Sequence, residues 1–66
     1  MEIVINGEAK QVAAPLSVAE LLEVLDLKAD RIAVELNRQI VRRENWPAAR
    51  LNDQDRLEIV QFVGGG

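Results

Sequence analysis

Ser17-Val18-Ala19-Glu20-Leu21-Leu22-Glu23-Val24-Leu25 decides the fold. Ser17 and Glu20 stand at the spacing of a capping box, in which the serine hydroxyl accepts from the amide three residues on while the glutamate reaches back to the serine amide. Val18, Leu21, Leu22 and Leu25 then fall at i, i+3, i+4 and i+7, a single apolar stripe suited to packing on a sheet. The pattern predicts one amphipathic helix ending near Asp26-Leu27.

On its N-terminal side the chain alternates. Ile3 and Ile5 point one way and Glu2 and Val4 the other, which reads as a strand. Asn6-Gly7 follows, the dipeptide best suited to the two positive φ angles of a type I′ hairpin turn. Glu8 to Val12 is the returning strand, polar enough to be an edge, and Ala13-Ala14-Pro15-Leu16 connects it to the helix.

On the C-terminal side Arg31 to Leu36 alternates again, with Ile32, Val34 and Leu36 on one face. Asn37-Arg38 marks a turn and Gln39-Ile40-Val41 a short strand. Arg42 to Arg50 has no clear period, and Trp46-Pro47 is expected in a turn or short helical piece, with Trp46 packed under the long loop. Asn52-Asp53-Gln54-Asp55 is a turn by composition. Arg56 to Phe62 is the last strand, with Leu57 and Ile59 on one face and Glu58, Val60 and Phe62 on the other.

One helix covers only one face of a sheet, so the arrangement is α+β: a mixed sheet of four to five strands with the helix on one side. A right-handed crossover places the strand after the helix parallel to the first hairpin. This order is that of the ubiquitin-like β-grasp. The division expected is a domain over residues 1–63 and a glycine tail, Gly64-Gly65-Gly66.

Composition narrows the chemistry. A 66-residue chain is one domain, and a domain this small buries only ~60% of its unfolded surface. There is no Cys and no His, which removes disulfides, thiolate nucleophiles, the usual zinc ligands and imidazole general bases. Asp53 and Asp55 lack the further ligands of a metal loop, and Ser17 has no base to activate it. No apolar run approaches the ~20 residues of a membrane span, and Met1 to Ile5 lacks the basic start of a signal peptide. A cytoplasmic protein, with no membrane partner and monomeric when free, is the expectation. The net charge of −3 argues against nucleic acid.

The tail has two readings. Terminal glycines can simply fray. Residues without side chains can also thread a channel that any Cβ would block, and the four residues from Val63 to Gly66 reach at most ~14 Å. That span would set the Gly66 carboxylate in a partner's active site while the domain docks outside. A carboxylate must be activated before a nucleophile attacks it, usually as a mixed anhydride with AMP. The chain has no phosphate loop of the G-x-x-x-x-G-K-[ST] type, so activation would fall to a partner. Val60 and Phe62, with Val4 and Val63 beside them, are the candidate docking surface; the alternative is that Phe62 folds into the core. Ala33 is a further candidate neighbour.

The whole chain resembles the sulfur carriers of thiamine biosynthesis, a ubiquitin-like family. The resemblance rests on Ile5-Asn6-Gly7-Glu8, Ser17-Val18-Ala19-Glu20-Leu21-Leu22, Ala33-Val34-Glu35-Leu36-Asn37-Arg38-Gln39-Ile40-Val41, Arg50-Leu51-Asn52-Asp53-Gln54-Asp55, and Leu57 through Gly66. It implies a protein that is acted on rather than an enzyme. A ubiquitin-activating-like adenylyltransferase would use ATP-Mg to adenylate Gly66, and the chain itself would bind no cofactor. Sulfur passed from a persulfide enzyme would give a thiocarboxylate, and thiazole synthase would take that sulfur. The small subunit of molybdopterin synthase shares the fold and the Gly-Gly end but is usually longer. A protein-modifying tag and a stand-alone β-grasp binding module are the remaining alternatives.

Overall fold

The computed structural model describes residues 1–62, the side chain of Ala29 excepted. The elements are β1 (Glu2–Ile5), β2 (Glu8–Gln11), α1 (Val18–Val24), β3 (Ile32–Leu36), β4 (Gln39–Val41) and β5 (Arg56–Gln61), with single 3₁₀ turns at Ala29–Arg31 and Arg43–Asn45. The five strands form one sheet in the order β2-β1-β5-β3-β4. β1 and β5 are parallel and the other neighbours antiparallel. β3 therefore runs parallel to β2, the strand that enters the helix crossover, and antiparallel to β1. It touches neither, because β5 lies between β1 and β3.

Helix α1 starts as its sequence requires. Ser17 Oγ accepts from the Glu20 N–H at 3.1 Å, and Glu20 Oε1 accepts from the Ser17 N–H at 2.9 Å. It ends slightly earlier than the apolar stripe suggests. Leu25 is the C-cap, and Asp26 takes the left-handed conformation (φ 58°). The Asp26 N–H then bonds the Glu23 carbonyl at 3.0 Å and the Leu27 N–H bonds the Leu22 carbonyl at 2.9 Å. These are the two bonds of a Schellman motif, here built on aspartate where glycine is usual.

The core lies between α1 and one face of the sheet. Ile3, Val18, Leu21, Val34 and Leu57 are fully buried. Each contributes roughly 1.5–3 kcal/mol on burial, which in so small a domain leaves each of them hard to replace. The aperiodic stretch after β4 is ordered by backbone bonds to the start of the helix. The Val18 N–H donates to the Ala49 carbonyl, Ala19 N–H to Trp46 and Leu51 N–H to Leu16. Trp46 is buried, as expected, and its indole N–H donates to the Val41 carbonyl at 2.8 Å. The Arg43 guanidinium sits 5.8 Å from the ring centroid.

Both hairpins turn on an asparagine. Asn6 and Gly7 have φ of 50° and 85°, and Asn37 and Arg38 have 50° and 70°. The first pair is the sequence signature of a type I′ turn. The second places an arginine where glycine would be unstrained.

Candidate functional site

The candidate site is the end of β5 and the segment that follows it. Gly64, Gly65 and Gly66, the residues expected to thread a partner's active site, and Val63, expected in the docking surface, lie outside the described residues.

The register of β5 settles which of its residues are neighbours. Across β3, Ala33 pairs with Val60 and Glu35 with Glu58; across β4, Glu35 pairs with Ile40. Directly opposed residues share a face, so these side chains stand on the side of the sheet away from α1. Val60 is 52% exposed, Phe62 59% and Ile40 76%. Phe62 is therefore on the surface and not folded into the core. Ile40 extends the apolar surface toward the β4 edge. It escaped the sequence reading because a three-residue strand shows too little alternation to assign a face.

Val4 is placed differently from its expectation. It pairs with Arg56, so β5 runs four residues further before reaching Val60. At about 3.3 Å per residue that separates Val4 from the Val60 and Phe62 group by roughly 13 Å. The cause is the parallel pairing of β1 with the first half of β5, a register that the sequences of the two strands do not specify.

Two asparagines hold β5, a role the sequence showed only as turn propensity. At the start of the strand, Asn37 N–H donates to the Arg56 carbonyl at 2.7 Å and Asn37 Oδ1 accepts from the Arg56 N–H at 3.0 Å. Asn37 Nδ2 donates to Asp55 Oδ1 at 3.0 Å. Nearer its end, Asn6 Oδ1 accepts from the Ile59 N–H at 2.8 Å, and Asn6 Nδ2 donates to the Ile59 carbonyl at 3.0 Å. Beyond that point the Phe62 N–H donates to the Arg31 carbonyl at 2.8 Å.

The turn acids are structural. Asp53 Oδ1 accepts from the Glu2 N–H at 2.7 Å, and Asp55 Oδ2 from the Asn52 N–H at 2.7 Å. The Glu2 amide, helped by the Gln54 side chain, holds the Asp53 carboxyl below the usual range. The described residues enclose no pocket and bring together no cluster of three metal-ligating side chains. None of their helices is long and apolar enough to cross a membrane. What this part of the molecule offers a partner is a face.

A five-stranded mixed sheet with one helix, with an exposed Val60 on its last strand and an exposed Phe62 just beyond it, defines a ubiquitin-like β-grasp protein. The chain belongs to the ThiS family, which matches it over residues 3–66. It is 41% identical to the sulfur carrier protein ThiS of Escherichia coli K12, with all of both chains covered. The crystal structure of a thiamine biosynthesis protein (ThiS) from Geobacter metallireducens superimposes with a TM-score of 0.87, at 38% identity and full coverage of both chains. The chain is also 42% identical to part of a thiazole synthase of Paramagnetospirillum magneticum, of whose length it spans 20%.

Proposed function

We propose that this protein is the sulfur carrier of thiamine biosynthesis and that its working group is the Gly66 carboxylate. The observation that carries the reading is that the family match runs through Gly66 while Val60 on β5 and Phe62 just after it are both exposed on the approach to the glycines. A partner adenylyltransferase holding ATP-Mg joins the carboxylate to AMP and releases pyrophosphate. The terminal sulfur of a donor persulfide then attacks the acyl carbon, and AMP leaves with the bonding pair. A second thiol cleaves the resulting acyl disulfide and becomes disulfide-bonded, leaving a thiocarboxylate on Gly66. Thiazole synthase takes this sulfur, and the protein acts in the cytoplasm as a monomer when free.

The thiazole synthase relative supports the last step. Joining a carrier-like stretch and a synthase in one polypeptide keeps the two at high effective concentration. Val60, Phe62 and Val63 form the docking surface for the partners, with Gly64 and Gly65 threading their active sites. The glycines carry no side chain to obstruct that passage.

Complementation tests the reading. Expressed in a thiamine auxotroph that lacks its own carrier, the full chain restores growth and a form without Gly65-Gly66 does not. Growth supported equally by both forms would refute the proposal.

A further inference from the structure

β1 leaves the sheet before β5 does. Its parallel ladder with β5 runs through Val4 N–H to the Asp55 carbonyl and Asn6 N–H to the Leu57 carbonyl, both at 2.9 Å. In a continuing parallel ladder the Ile59 N–H would next bond the Asn6 carbonyl, and a later N–H of the same strand would bond the Ile59 carbonyl. The Asn6-Gly7 turn takes the chain away into β2 instead. The Asn6 carboxamide makes both missing bonds, at 2.8 and 3.0 Å. A carboxamide carries the same acceptor and donor as a peptide unit, so Asn6 serves as one more rung of β1. With the Phe62 N–H bound to Arg31 on the opposite edge, β5 is held on both sides over its last residues.

We infer that Asn6 is a positioning residue: by clamping Ile59 it fixes the heading of β5 where the strand leaves the sheet, and so the presentation of Gly66 to the enzyme that activates it. The inference rests on the carrier reading above. Activation needs the acyl oxygen within a few tenths of an ångström of its attack geometry, and small misplacements cost large factors in rate. The clamp bonds only the Ile59 backbone, and Phe62 keeps its own bond to the Arg31 carbonyl, so losing the clamp removes no group from the docking face and bears on the chemical step.

Asn6→Gly separates this role from the turn. Glycine takes φ near +50° without strain, so the hairpin is kept while the carboxamide is lost. With the adenylyltransferase and ATP, the kcat for carrier-dependent pyrophosphate release is expected to fall about tenfold or more. The KM for the carrier should change by no more than about twofold. In the free carrier, ¹⁵N order parameters at Ile59 and Gln61 are expected to drop, while Phe62, held by the Arg31 carbonyl, keeps its own. Asn6→Asp is the second variant, should the glycine form fold poorly. It keeps the turn and the acceptor but sets an oxygen against the Ile59 carbonyl, and it should show the same loss in kcat. An unchanged kcat, or a raised KM at constant kcat, overturns the inference. So do unchanged order parameters, a readout that does not depend on activation. If the unaltered chain is never adenylated, the carrier reading fails instead, and the order parameters still decide whether Asn6 steers β5.

Discussion

Glu35 and Glu58 face each other directly across β3 and β5 on the open side of the sheet. They lie one same-face position from Ala33 and Val60, so the apolar surface has an acidic border. Like charges in directly opposed positions destabilise a sheet by roughly 0.2–1 kcal/mol. Glu35→Lys replaces repulsion with attraction and should stabilise the domain by about that amount. Thermal unfolding checks this, and the gain should shrink as salt is added. A loss of stability at low salt would mean the two carboxylates are not opposed as described.

Phe62→Ala tests the exposed end of β5. Phe62 is 59% exposed and its structural bond is made by its backbone N–H. Truncation should therefore cost less than about 1 kcal/mol of stability, as surface substitutions usually do. Docking to the adenylyltransferase should weaken by about 1–2 kcal/mol, or some five- to thirtyfold in Kd. Calorimetry of unfolding and of binding separates the two. A large loss of stability with normal docking would return Phe62 to the core.

The helix start gives an acid-dependent term. The Ser17 amide, followed by the Ser17 side chain, holds the Glu20 carboxyl below its ordinary range, and Asp53 is lowered by the Glu2 amide. A carboxylate depressed in the folded state stabilises it above the unfolded value, and that contribution is lost as pH falls through the folded value. Stability should therefore decline as the solution is acidified below about pH 4. A Glu20→Gln/Asp53→Asn variant keeps acceptors at both sites but has no proton to gain there. Its Tm should depend less steeply on pH over that range. An equal slope would place the acid sensitivity elsewhere.

Much of this was legible in the sequence because local rules and the fold agree. The capping box, the helix stripe and the Asn6-Gly7 turn each follow from neighbours in the chain, and the alternation of β5 assigned Leu57 and Ile59 to the core and Phe62 to the other face. What was not legible depends on long-range register. Val4 was expected beside Val60, but parallel pairing sets it against Arg56. The asparagine clamps on β5 are made by side chains more than fifty residues away for Asn6 and about twenty for Asn37, so the sequence showed only two turn formers. The stretch after β4 has no period because it is held by backbone bonds to the helix start rather than by an apolar stripe. The function was carried by the glycines at the chain end and by the resemblance they complete.

The carrier reading stands or falls on the Gly66 carboxyl. Incubated with the adenylyltransferase, ATP-Mg and a persulfide donor, the intact chain should gain the mass difference between one sulfur and one oxygen, and fragment spectra should place that gain on Gly66. An unchanged mass, or a sulfur found on any other residue, would contradict it.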